Sequence, residues 1–102
     1  MRIISKRRLV EFRETYAEAR QWLESWYKLA QAAQWEDITE VRRAFPHADP
    51  VSVGSGKTAT VFNVCGNKYR LITAIHYASR IVFVLMLLRH AEYSTGRWKE
   101  RP

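Results

Sequence analysis

The sequence predicts an α+β fold in which an N-terminal strand and a helical hairpin pack on an antiparallel sheet meander, with a short C-terminal helix after the last strand. Three observations carry that prediction. Residues 6–45 contain neither Gly nor Pro, and their apolar side chains recur at helical spacing. Residues 60–88 hold three successive runs rich in β-branched and aromatic residues, separated only by short turn sequences. Between these halves, residues 46–57 collect two Pro, two Gly and two Ser, a composition that favours turns. At 102 residues the chain has room for one hydrophobic core, so a single domain spanning 1–102 is expected.

Taken in order, Arg2-Ile3-Ile4-Ser5 reads as a short strand. Leu9, Phe12, Tyr16, Ala19, Leu23, Trp26 and Ala30 then follow at steps of three and four, which places them on one face of a helix that must pack on something. Thr15 followed by Glu18 has the form of a capping box, which predicts a joint near Thr15 and hence a hairpin of two helices. Asp37 with Glu40 repeats the signal and opens a third, short helix through Val41 and Phe45. Pro46 ends it, because proline has no N–H to donate and restricts the residue before it. Val51 and Val53 can form a short strand within the turn-rich stretch.

The strands expected next are 60–65, 69–77 and 80–88, with Gly66-Asn67-Lys68 and Ala78-Ser79 as hairpin turns. The last of them, Ile-Val-Phe-Val-Leu-Met-Leu-Leu at 81–88, is apolar on both faces, which predicts an interior strand covered on at least one side by the helical hairpin. Residues 90–94 read as one helical turn, and 97–102 as a polar tail.

Composition narrows the function. With 47% hydrophobic and 13% aromatic residues the chain has enough apolar surface to offset backbone ordering, which argues for a packed globule. Seventeen Lys and Arg against ten Asp and Glu leave a net charge of +7, and the pI is near 10.0. Such a field draws in polyanions: nucleic acid first, an acidic protein or an anionic membrane surface otherwise. Cys65 is the only cysteine, so no disulfide and no Cys-based zinc site can form within the chain, and no cofactor is expected. The N-terminus lacks an apolar signal region, and the eight-residue run 81–88 is too short to span a bilayer as a helix, so a cytoplasmic protein without membrane association is expected.

Two places gather groups suited to chemistry. Strand alternation from residue 68 puts Lys68, Arg70 and His76 on one face and Tyr69, Leu71, Thr73 and Ile75 on the other. Lys68 and Arg70 read either as solvated positions at a hairpin edge or as phosphate contacts. Directly after the most apolar strand, Arg89-His90-Ala91-Glu92-Tyr93 brings together a cation, an imidazole, a carboxylate and a phenol. A histidine can move a proton near neutrality, a tyrosine can do so if neighbouring cations lower its pKa, and an arginine can stabilise a pentacovalent phosphorane. These suffice for RNA transesterification, in which the ribose 2′-OH attacks the adjacent phosphate with no metal required. The same residues also read as polar groups capping the end of a sheet. His47, His76 and His90 lie in separate elements without metal-ligand spacing, and Trp22 and Trp26 sit at helical spacing that favours core packing over base stacking.

The segment VFNVCGNKYRLI at 61–72, followed by HAEY at 90–93, resembles the HigB family of mRNA interferase toxins within the RelE/ParE superfamily. Residues 22–27, Trp35-Glu36-Asp37 and Phe45-Pro46-His47-Ala48-Asp49 also stand where that family has similar residues, so the resemblance covers most of the chain. It implies a RelE-like fold and a type II toxin: a ribosome-dependent endonuclease that cuts translated mRNA at the A site by metal-independent transesterification, neutralised by a HigA-like helix-turn-helix antitoxin. Carried over by position, it implies Arg70, His90 and Tyr93 as catalytic residues, and Lys68, Arg89 and the loop residue Lys57 as RNA contacts. Ser94 stands where family members commonly carry Asp, and Cys65 where Lys or Gly is common; if that Asp orients a catalytic group, Glu92 is the residue left for the task. Two other readings stay open: a module that binds RNA or antitoxin without cutting, and a gyrase-directed toxin of the ParE kind.

Overall fold

The computed structural model describes residues 1–100. In chain order the elements are β1 (Arg2–Ile4), α1 (Lys6–Thr15), a 3-10 turn (Ala17–Ala19), α2 (Arg20–Ala32), α3 (Ile38–Ala44), β2 (Asp49–Ser52), β3 (Thr58–Val64), β4 (Tyr69–His76), β5 (Ile81–Arg89), α4 (His90–Ser94) and a second 3-10 turn (Arg97–Glu100). The class is α+β and RelE-like, as expected. None of the helices is long and apolar enough to cross a membrane among the described residues.

The helical hairpin forms, but not through the expected cap. Its joint is Tyr16, at φ −119° and ψ 74°, while Thr15 stays inside α1 as its last residue. The Glu18 carboxylate is drawn away to Tyr69 and Lys68, so it cannot turn back to cap a helix. The helix that follows ends at Ala33, whose extended backbone breaks the long helical stretch, and the Met1 ammonium donates to the carbonyls of Ala30, Gln31 and Ala33 there. Asp37 caps α3 as expected, accepting from the Glu40 N–H at 3.1 Å.

The sheet order is β1-β5-β4-β3-β2. Strands β2 to β5 form the antiparallel meander, and β5 is interior, as the apolar run predicts. The N-terminal strand makes the sheet mixed: β1 pairs parallel with β5, Arg2 opposite Ile81 and Ile4 opposite Phe83. The hairpin turns shorten the expected strands, because Cys65 and Arg80 adopt left-handed backbone (φ 52° and 57°) and so belong to turns.

Helices cover one face of this sheet. Leu9, Leu23, Trp26 and Ala30 bury against Phe62, Val64, Leu71, Val82 and Val84. Trp26, Trp35 and Phe45 surround the Phe62 ring at centroid distances of 5.6, 6.5 and 5.2 Å. The helical stripe expected from the sequence is this packing surface, with Trp26 fully buried in it and Trp22 half-buried against Phe45.

The other face carries a smaller cluster of Val53, Ala59, Val61, Ile72 and Trp98, flanked by Leu85, Met86, Leu88 and Tyr93. β5 serves both faces through a bulge. The register steps from Ile72 opposite Met86 to Thr73 opposite Val84, leaving Leu85 unpaired. Val82 and Val84 therefore point to the helices and so does Leu87, although strict alternation would turn Leu87 away. The Arg8 guanidinium donates to the carbonyls of Val84 and Leu85 at 3.4 and 2.9 Å. The stretch expected as a polar tail is anchored up to residue 100: Trp98 is 4% exposed, stacks on Tyr93 at 5.3 Å and donates its indole N–H to the Tyr93 carbonyl. Residues 101–102 of that stretch lie outside the described residues.

Candidate active site

Arg70 occupies the middle of the site. It sits opposite Asn63 on one side and Leu88 on the other, on the face of the sheet away from the helices. Its guanidinium donates to the Tyr69 carbonyl at 3.0 Å and to Asn67 Oδ1 at 3.3 Å, and lies 5.6 Å from the centre of the Tyr93 ring. The residue is only 8% exposed. No carboxylate pairs with it among the described residues, where the ion pairs are Arg13–Glu24, Arg20–Glu24 and Lys68–Glu18. A buried cation held by neutral groups alone retains attraction for an anion that can reach it.

The anion has a way in. A cleft of about 360 Å³ is lined by Arg42, His47, Asp49, Asn63, Arg70 and Tyr93, with Pro46, Ala48 and Val61 completing the wall. A neighbouring recess of about 480 Å³ shares His47 and Asn63 with it and adds Trp22, Phe45, Phe62 and Asn67. The strand pairing explains the convergence. β2 runs antiparallel to β3 with Asp49 opposite Val61, so the turn just before β2 comes alongside Asn63, and Asn63 is itself paired with Arg70. The Arg42 Nε–H donates to the Ala48 carbonyl at 2.9 Å and fixes that turn to α3.

Tyr93 enters from α4, whose bounds match the helical turn expected from the sequence. Its phenol does not become more acidic beside the cations, as the expectation for a base requires. Burial pushes its pKa up, the Asp49 carboxylate pushes in the same direction, and Arg70 only partly opposes them. At neutral pH Tyr93 is a protonated hydrogen-bond donor.

The other candidates fall outside this cleft. Lys68 belongs to the turn before β4, so strand alternation does not apply to it; its ammonium reaches Glu18 Oε2 at 3.1 Å on the helical side of the sheet. Tyr69 donates to the same carboxylate, which holds the Glu18 pKa below the usual carboxylate range. Arg89 is on that side too, 5.6 Å above the Tyr16 ring. His90 is exposed at the start of α4, with Nδ1 3.3 Å from Ser94 Oγ and its backbone N–H bonded to the Lys68 carbonyl at 3.0 Å. Glu92 turns back to accept from the Arg89 backbone N–H at 3.2 Å, a capping role that points it away from orienting a catalytic group. Lys57 lies in the β2–β3 turn, six residues before Asn63 and so roughly 20 Å along the strand from the cleft. His76 closes the far end of β4 against the Phe83 ring at 5.2 Å.

The cleft therefore contains Arg70 and Tyr93 from the expected set, and adds Arg42, His47, Asp49 and Asn63. The sequence signal for these is Phe45-Pro46-His47-Ala48-Asp49, a segment that the family resemblance already includes and whose His47 is an acid–base candidate by residue type, but its place beside Arg70 depends on β2 pairing with β3. Chemically the cleft offers a buried guanidinium, a neutral phenol, an amide and an imidazole around a space large enough for a phosphodiester. A search of curated proteins found no match. The family model described as HigB_toxin, RelE-like toxic component of a toxin-antitoxin system, matches residues 19–96, from the end of the first 3-10 turn through α4, and the chain belongs to that family.

Proposed function

We propose that this toxin is a ribosome-dependent mRNA endonuclease that cuts translated mRNA at the A site by transesterification in the cytoplasm, and that a HigA-like helix-turn-helix antitoxin silences it. The single observation that supports this reading best is the Arg70 guanidinium, buried without a carboxylate partner among the described residues, lining an open cleft and facing a protonated Tyr93. A phosphodiester is the ligand such a floor suits, since charge accumulates on the phosphoryl oxygens as the 2′-oxygen attacks. Arg70 then stabilises the phosphorane, Tyr93 donates a proton to the departing 5′-oxygen, and His90 is the second proton-transfer candidate of the same helix. Lys57, Lys68 and Arg89 are assigned to phosphates away from the reacting one. With few preorganised groups of its own, the domain gains from a ribosome that holds mRNA in line for attack.

The test is to induce the protein in cells without its antitoxin and map new mRNA 5′ ends, alongside Arg70→Ala and His90→Ala. Cuts within translated frames that vanish in Arg70→Ala and weaken in His90→Ala are the expected result. Arrest of growth without new ends would instead favour a non-catalytic RNA-binding or gyrase-directed toxin. The non-cutting reading has one observation of its own: His90 stands outside the cleft and is engaged with Ser94.

A further inference from the structure

We propose that His47 is a catalytic residue, the general base that takes the proton from the ribose 2′-OH in this cleft. The assignment rests on the nuclease reading above and makes that site more specific. Of the three imidazoles in the chain, His47 alone lines the cleft that holds Arg70 and Tyr93; His90 is exposed beside Ser94, and His76 is at the opposite end of β4. It projects from the four-residue connection between α3 and β2, is exposed, and makes no side-chain hydrogen bond among the described residues, so both ring nitrogens are free for substrate. A core or capping histidine would be expected to have a partner.

Position and chemistry agree. Tyr93 and His47 come from separate elements, α4 and the turn before β2, and both line the space onto which Arg70 opens. An in-line displacement needs its acceptor and donor on separate sides of the phosphorus. Tyr93 is held protonated and so fits the donor. That leaves the acceptor, and an imidazole, whose neutral form carries a ring-nitrogen lone pair, suits it. In the step, the 2′-O–H proton passes to His47 as the 2′-oxygen bonds to phosphorus. The P–O5′ bond breaks, and the leaving oxygen takes the Tyr93 proton. The products are a 2′,3′-cyclic phosphate and a 5′-hydroxyl, and solvent exchange returns both side chains to their starting protonation. The charged and titratable groups that line the same cleft are Arg42 of α3, Asp49 of β2, Arg70 of β4 and Tyr93 of α4.

The experiment measures single-turnover cleavage of an mRNA programmed in ribosomes by the full chain, at saturating protein, across about pH 5.5 to 9. Wild type, His47→Ala, His47→Gln and His90→Ala are compared, with melting temperatures to confirm that the exposed His47 substitutions leave the fold intact. The expected result is that both His47 variants cut about 100-fold or more slowly and lose the acid limb of the pH profile, whereas His90→Ala keeps that limb whatever its rate. Wild-type cleavage with an undiminished rate in His47→Ala overturns the assignment and leaves the nuclease reading standing. So does slowed cleavage with the acid limb unchanged, because His47 would then only bind. A wild type that fails to cut overturns the nuclease reading and the assignment with it.

Discussion

The two faces of the sheet are built to opposite specifications. On the helical face, Phe62 sits within a ring of Trp26, Trp35 and Phe45; the buried Thr73 hydroxyl donates to the Thr60 carbonyl at 2.8 Å, while the Trp26 indole N–H is the buried polar atom left without a partner among the described residues. On the other face a thin apolar patch borders an open cleft and a buried cation that forms no ion pair among the described residues. The first arrangement suits stability and the second is poor for it, since an uncompensated charge is costly to desolvate. The difference teaches where to look in a small basic domain. Total charge marks many residues, but Arg70 is distinguished by burial without a carboxylate partner among the described residues.

That contrast can be broken or sharpened by substitution. The largest effect is expected at Phe62→Ala, which should lower unfolding free energy by about 3–5 kcal/mol, whereas Arg70→Met should change it by less than about 1 kcal/mol because an apolar side chain of similar length replaces an unpaired charge. Urea unfolding of both variants decides the matter; a comparable loss at Arg70 would mean that the guanidinium holds the fold and is not reserved for a ligand. Next is Trp98→Ala. Loss of the stacked indole should destabilise the domain by about 2 kcal/mol and slow cleavage by loosening Tyr93, while Trp98→Phe retains most of both. Unchanged cleavage in a folded Trp98→Ala would show that Tyr93 is positioned by Arg70 alone.

The smallest effect is expected at Glu18, on the helical side. Its pKa is lowered by hydrogen bonds from Tyr69 and Lys68, so the folded state favours the carboxylate. The stabilisation is therefore present above the ordinary carboxylate range and disappears as pH falls through the folded value. Melting curves of Glu18→Gln should lie slightly below wild type at neutral pH and converge with it in acid. The chemical step should respond little, because this cluster is on the other side of the sheet from Arg70 and touches only the outlying phosphate contact Lys68.

Periodicity made much of this legible. The helical stripe, the three long strands, the interior place of β5 and the turn at 90–94 all follow from local spacing, and Arg70 with Tyr93 could be paired because one strand and the helix after its neighbour end together. What local spacing cannot convey is which strand lies beside which. The position of His47 depends on β2 pairing antiparallel with β3, and that pairing also carries Lys57 to the far end of the hairpin. Alternation failed for Lys68 because the strand begins one residue later, at Tyr69, so the lysine is free to bend over the edge to Glu18. Trp98 was hidden by its polar neighbours: Arg97, Lys99 and Glu100 give the segment a solvated look, though one indole suffices to pin it to the sheet.

The bulge at Leu85 also acts as a phase setter for everything downstream. With the extra residue, β5 reaches Arg89 in step with Tyr69, and α4 starts at a rotation that presents Tyr93 to Arg70. Were every residue of β5 paired in regular alternation, with no bulge to absorb one, the strand would arrive half a repeat out of step: Leu87 would leave the core, Leu88 would turn inward, and α4 would begin about 3.4 Å too far along and facing the opposite side of the sheet. A single supernumerary leucine, pinned by Arg8 from a helix at the other end of the sequence, is thus the clockwork that times the arrival of the C-terminal motif.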